Sequence, residues 1–263
     1  MRNPVVGLAL IVGLITGCAT EGVARASPTV SGIARLPGSS TVRWNGGASV
    51  ALSDLKLERL TANPQATLVV RVERMTTSNV QGHNAGFVYQ LSGSQRLFVG
   101  DRTVTLHSGD ATFVAPPEIP HRHEADPTST SLFLSVLDSS LAGSPGAHGP
   151  ETYASAALAP LPTGTHPRSA LTLGYTQTLR RLELDPAGRS PSHFTVGYEA
   201  VFVLDGALEL RVGAMSSRLS AGAGQVVAPR QLIQFVNVTT APARALLLFV
   251  TPGGEPFEID MPS

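Results

Sequence analysis

Seven histidines are spread along the chain, and some stand at spacings that could converge on one ion or substrate. His121 and His123 are two residues apart, so on a β-strand both imidazoles face the same side. His83 follows Glu73 by ten residues, as His193 follows Glu183, which gives His83 and His193 matching places in two halves of the chain. Three imidazoles around one cavity, His83, His121 and His123, would suit Zn or Cu with an open position for water or substrate. Arg180 and Arg181 precede Leu182-Glu183-Leu184, so alternation turns one guanidinium inward and the other outward. The inward one could clamp a substrate carboxylate or pair with Glu183 or Glu199. His107 ends a polar-apolar alternation beside a turn and reads as exposed, while His148 and His166 fall where no hydrophobic period exists. Hydrolase-elbow, phosphate-loop and dinucleotide fingerprints are absent from the sequence.

The elements that must position these residues are strands. Gly 26 and Pro 20 in 263 residues make a turn-rich chain, and 42% hydrophobic content is enough for ordinary cores. Stretches such as Leu68–Met75, Gly86–Gly93 and Ser131–Leu137 are strand-length and carry no sustained helical spacing. Formal net charge is zero, with Lys56 the only lysine, which argues against nucleic-acid binding.

The first residues read as a targeting segment. Arg2 precedes an apolar run, Val5 to Thr16, too short to span a bilayer as a mature helix. It ends at Ile15-Thr16-Gly17-Cys18, which resembles the bacterial lipobox, and Cys18 is the only cysteine. The expectation is cleavage after residue 17, lipidation of Cys18, and an envelope protein held at the membrane, facing the periplasm from the outer membrane. Residues 18–45 read as a flexible tether.

Two copies of one unit follow. At an offset of 113 residues Gly93 meets Gly206, Gly109 meets Gly222, Leu106 meets Leu219, and Ala115-Pro116 meets Ala228-Pro229. Expected boundaries are 46–137 for the first domain, 138–170 for a linker and 171–263 for the second. Short strands at regular spacing point to two double-sheet barrels or jelly rolls.

On these residues the chain resembles the cupin superfamily. Glu199-Ala-Val-Phe-Val-Leu-Asp-Gly206 looks like the end of a first cupin motif, and Gly109 through His121 like a second. The repeat makes it resemble a bicupin, such as oxalate decarboxylases, pirins and ureidoglycine aminohydrolases. The resemblance implies tandem double-stranded β-helix barrels and a divalent metal (Mn, Fe, Zn, Ni or Cu) held by imidazole and carboxylate. In the second copy it implies His193, Glu199 and Gln234 as ligands, with Thr195 replacing a histidine and Glu199 as catalytic group. A Gln occupies the corresponding position in the resembled aminohydrolases. In the first copy Gly86 stands where the Glu belongs, and His121 takes the second-motif position. Two function classes stay open: a lipid-anchored receptacle for a small polar molecule, and a metal-dependent enzyme (oxygenase, decarboxylase or aminohydrolase type) acting on a small polar metabolite. A homodimer paired through sheet edges is a further expectation from the resemblance.

Overall fold

The computed structural model describes residues 33–35, 38–57, 68–75, 80–81, 86–99, 101–114, 121–138, 152–158 and 175–261. Cys18 and His83 lie outside them. The described chain is all β, with no helix among these residues. The first half holds β1 (Ile33–Arg35), β2 (Val42–Trp44), β3 (Gly47–Leu57), β4 (Leu68–Met75), β5 (Val80–Gln81), β6 (Gly86–Ser92), β7 (Ser94–Val99), β8 (Arg102–His107), β9 (Ala111–Val114), β10 (His121–Ala125) and β11 (Thr130–Asp138). The second holds β12 (Thr152–Leu158), β13 (Tyr175–Leu184), β14 (His193–Thr195), β15 (Tyr198–Asp205), β16 (Ala207–Val212), β17 (Met215–Ser220), β18 (Gly224–Val227), β19 (Leu232–Asn237), β20 (Ala243–Pro252) and β21 (Glu258–Asp260).

Four antiparallel sheets make two barrels. The N-terminal barrel pairs the sheet β12-β4-β11-β6-β9 with the sheet β5-β10-β7-β8. The C-terminal barrel pairs β18-β15-β20-β13-β3-β2 with β1-β21-β14-β19-β16-β17. The 113-residue offset carries β7, β8 and β9 exactly onto the bounds of β16, β17 and β18. Gly93 and Gly206 both turn at positive φ (69° and 72°), a conformation that costs glycine little.

Alternation divides the core. On β15, Val201 and Val203 fill the C-terminal barrel, while Tyr198, Ala200 and Phe202 pack between the lobes. On β20, Ala245, Leu247 and Phe249 face inward, and Leu246, Leu248 and Val250 face the other lobe. There they meet Val70, Val72, Phe87, Tyr89, Leu132 and Leu134 from β4, β6 and β11. The N-terminal barrel has a smaller apolar interior, built from Met75, Val88, Leu97, Leu106, Val114 and Phe133.

Four strands depart from the linear order of the halves. β3 precedes the first barrel in sequence yet pairs with β13 from Gly47↔Leu184 to Leu57↔Tyr175. β12, within the stretch read as linker, pairs with β4 of the first barrel. β1 and β2, within the stretch read as tether, are strands of the second barrel's sheets. The sheets therefore do not follow the linear boundaries 46–137 and 171–263. Each exchanged strand covers an edge that the other half would leave open. Trp44 extends the exchange: it packs against the second barrel's core and its Nε1 donates to the Arg189 carbonyl at 2.6 Å.

Residues 171–263 expressed alone should fail to form a cooperative domain, because β13 loses β3 along its whole length. Fusing residues 33–57 ahead of them should restore a sharp thermal transition by circular dichroism and a monodisperse elution profile. A cooperative transition in the unfused segment would show that the exchange contributes little.

Candidate functional site

The polar interior of the C-terminal barrel is built on two short paired strands. β14 lies against β21 so that His193 meets Asp260 and Thr195 meets Glu258, and all four are buried. From β15, Glu199 enters the same space with 0% exposure. His193 Nε2 stands 3.1 Å from Glu199 Oε2, and its Nδ1 stands 3.2 Å from the Pro191 carbonyl. Both ring nitrogens thus face acceptors, the arrangement of a doubly protonated imidazolium. Burial works against that charge, but the Glu199 carboxylate, with Glu258 and the Pro191 carbonyl adding to it, outweighs burial and raises the His193 pKa to about 9. Glu199 Oε1 and Thr195 Oγ1 are buried with no hydrogen-bond partner.

Two arginines complete the charge balance. Arg35, on β1, pairs through Nε with Glu258 Oε1 at 2.6 Å and through Nη2 with Asp260 Oδ2. Arg180 points inward, as alternation from Arg181 requires. Its Nε donates to Ser49 Oγ at 2.7 Å, and its terminal nitrogens donate to the carbonyls of Ser39, Ser40 and Ser49. Those donors are spent on the N-terminal exchanged segment, so Arg180 bolts it down rather than clamping a substrate. Arg181 faces the other lobe, donating to Glu183 at 2.8 Å and to the Gly109 carbonyl at 2.9 Å. Inside the barrel Arg35, Arg180 and protonated His193 balance Glu199, Glu258 and Asp260. Glu258 still has its pKa raised, mainly by burial and then by Glu199 and Asp260, against the pull of His193 and Arg35.

Gln234 does not join this group. On β19, Ile233 and Phe235 face the barrel interior while Gln234 is half-buried on the other face, its Nε2 3.2 Å from the Ser190 carbonyl. Pairing shows why. His123 lies opposite Leu97, and Phe235 lies opposite Leu210, the counterpart of Leu97. His121 therefore corresponds to Ile233 and Arg122 to Gln234, because the turn before β19 is one residue shorter and every side chain changes face. Glu73 is likewise not the counterpart of Glu183. It pairs with Phe133, whose counterpart Leu247 pairs with Arg180.

In the N-terminal barrel His123 is buried, with Nδ1 3.4 Å from Gln95 Oε1. Gln95 Nε2 donates to Gln90 Oε1 at 2.6 Å, and Gln90 Nε2 donates to the Ser92 carbonyl. His121 contributes its backbone to β10, but its side chain and His83 lie outside what is described, so the expected trio is represented by His123 alone. The place that Glu199 takes in the second barrel is closed here. A Cβ on Gly86 would lie 2.5 Å from the Phe133 ring and from the Leu134 carbonyl oxygen. No carboxylate fits where that aromatic ring sits.

Sequence reasoning missed Arg35, Glu258 and Asp260. They fall outside the quoted motifs, and the one available signal was the acid-apolar-acid alternation of Glu258-Ile259-Asp260. The donors present do not complete the metal centre that the fold family implies. Thr195 and Ile233 occupy two of the expected ligand positions, and both His193 nitrogens face acceptors. Among the described residues no three His, Cys, Asp or Glu side chains form a metal-holding group.

Residues 180–250 match the Cupin domain family. Solved structures share the two-barrel fold at low sequence identity. An oxalate decarboxylase from Lactobacillus farciminis in complex with formate aligns over 91% of this chain and 90% of that one, at TM-score 0.51 and 12% identity. A point mutant of the Bacillus subtilis oxalate decarboxylase aligns over 92% and 87%, at TM-score 0.50 and 12% identity. No curated protein sequence matches the chain.

A raised pKa on a base has a defined sign in folding. The native state keeps the His193 proton that the unfolded chain releases, so this stabilisation is complete below about 6.5 and is lost as pH rises through about 9. Its size is on the order of 3 kcal/mol at most. Denaturant unfolding should show stability falling across that window, and Glu199→Gln should flatten the slope. An unchanged slope in the variant would mean that Glu199 does not hold the proton on His193.

Proposed function

We propose that the protein is a bicupin enzyme that acts on a small polar metabolite inside its C-terminal barrel, with Glu199 as the proton-transferring group. One observation carries this reading: a fully buried carboxylate with one oxygen on His193 and the other without a partner, beside the unpartnered Thr195 hydroxyl. An unsatisfied buried acceptor costs about 1–3 kcal/mol, more when charged. Replacing a buried ion pair by apolar side chains is often neutral or stabilising. A carboxylate at this position is therefore best explained by a visiting molecule that supplies a donor to Oε1. Such a buried, charge-coupled group inside a barrel is where chemistry concentrates.

In this reading an O–H or N–H of the metabolite donates to Glu199 Oε1, and Thr195 Oγ1 holds a neighbouring polar atom. Glu199 accepts the proton at Oε1 and later returns it to the reacting molecule. His193 stays cationic at neutral pH and steadies Glu199 through Oε2, while Glu258 and Asp260 remain engaged by Arg35. No step is routed through a metal. Turnover, rather than storage, is supported by the two-barrel fold shared with the oxalate decarboxylases. A second reading, a receptacle without turnover, is favoured by Thr195 and Ile233 standing where the resembled motif carries ligands.

Incubation with a panel of small hydroxy acids, keto acids and ureides, read by mass spectrometry, tests the proposal. Wild type should convert at least one compound, and Glu199→Gln should lower that rate by about a hundredfold or more, the usual worth of a general acid-base group. Thermal stabilisation without conversion would favour the receptacle, and conversion intact in Glu199→Gln would place the chemistry elsewhere.

The proposal also sets this activity at the bacterial envelope, on a lipid carried by Cys18, on the strength of Ile15-Thr16-Gly17-Cys18. Palmitate labelling of expressing cells should mark wild type and fail in Cys18→Ser, and equal labelling of both would overturn the anchor.

A further inference from the structure

Building on the reading that a metabolite meets Glu199 inside the C-terminal barrel, we infer that this molecule is uncharged and that Thr251, together with Thr195, binds its hydroxyl or amide groups. Register brings Thr251 beside Glu199. Glu199 pairs with Phe249 on β20, and Thr251, two residues further along, turns its side chain to the same inner face. Thr176, its partner on β13, is buried with it. On the other side stands Gly197, in the turn that joins Thr195 to Glu199, where a Cβ would lie 2.9 Å from the Thr251 Cα. Diagonal neighbours on one sheet face, as Glu199 and Thr251 are, lie about 7–8 Å apart, a span that one small molecule bridges. Thr251 is 1% exposed, and its Oγ1, like Glu199 Oε1 and Thr195 Oγ1, is buried without a hydrogen-bond partner. Orphaned buried polar atoms are rare, and three of them border one turn.

Charge sets the class of molecule. An ionised Glu199 only accepts, while each threonine hydroxyl donates or accepts. The set therefore matches a molecule that offers an O–H or N–H to Glu199 Oε1 and hydroxyl or carbonyl oxygens to the two threonines. A carboxylate would need a cation as well. Arg35 is matched by Glu258 and Asp260, His193 by Glu199 and the Pro191 carbonyl, and all three nitrogens of Arg180 donate to serine groups. Asp54, which accepts from Thr178 Oγ1 at 2.6 Å and from the Gly38 amide at 2.8 Å, adds a further carboxylate near Arg180. Among the described residues no interior cation is left to meet an anionic ligand. A buried carboxylate without such a partner carries a desolvation cost that an uncharged molecule avoids.

Titration calorimetry and thermal shift with matched probes, lactamide against lactate and glyceramide against glycerate, test this on the whole protein at neutral pH. At least one amide should bind about tenfold or more tighter than its carboxylate. Thr251→Val should weaken that amide about fivefold or more and leave the melting midpoint of the free protein unchanged or higher, because it removes an orphaned hydroxyl. Thr251→Ser keeps the hydroxyl and should bind as wild type does. A folded Thr251→Val with a lower midpoint and undiminished binding would overturn the binding role of Thr251 and make it structural. The comparison of amide with acid needs wild type alone, so it stands if the valine variant does not fold. A carboxylate bound as tightly as its amide would overturn the selection against charge while leaving Glu199 in place. No binding by any of the four probes would overturn the inference, whereas the role of Glu199 falls only on the conversion assay.

Discussion

The molecule depends on sheets buried on both faces. β13, β15 and β20 send one set of alternate side chains into the C-terminal barrel and the other against the N-terminal lobe, and β4, β6 and β11 do the same from the opposite side. Such strands carry continuous apolar runs, as Ala245 to Val250 on β20, rather than the polar alternation of a one-sided sheet. Little freedom is left for register, because a one-residue slip would move every core side chain from barrel to interface. That rigidity makes it possible to hold charged groups inside the barrel at all.

Within that apolar shell the interior charges are arranged to cancel locally. His193 is bracketed by Glu199 and the Pro191 carbonyl, Arg35 by Glu258 and Asp260, and Arg180 by serine groups from the exchanged segment. The N-terminal barrel solves its interior differently. Phe133 fills the space beside Gly86, and a chain of amides through Gln90 and Gln95 reaches His123 Nδ1. Both copies therefore bury ion pairs, Arg71 with Glu73 at 3.1 Å in the first and Arg35 with Glu258 and Asp260 in the second, while the chain of side-chain amides belongs to the first alone.

Much of the fold was legible in the residues themselves. The turn glycines Gly93 and Gly206 and the constant offset from β7 to β9 reflect hairpins whose geometry demands those residues at those intervals. The pairing of His193 with Glu199 was legible through the resembled motif rather than through alternation, since β14 has three residues and β15 is buried on both faces. Gln234 was misplaced because a single-residue difference in the preceding turn leaves composition unchanged while reversing the facing of the strand. β12 escaped notice because Thr152-Tyr-Ala-Ser-Ala-Ala-Leu158 lacks the bulky alternation of an inner strand. β1 escaped because three residues are too few to show a period. Arg35, Glu258 and Asp260 converge only through sheet pairing across the length of the chain, which no local pattern records.

The exchange of β3 has a bearing on the order in which the protein acquires its shape. Leu57 finds Tyr175 only after the whole first barrel and the stretch beyond it have been synthesised, so β3 spends that interval with one edge open and only β2 on the other. Non-local pairings of this kind slow folding, since loop closure must be achieved before any contact rewards it. The N-terminal barrel can condense before the C-terminal one, but it cannot capture β12 until that segment arrives. Maturation is therefore sequential, with both barrels closing near the end, and a chain truncated before β13 leaves β3 paired with β2 alone.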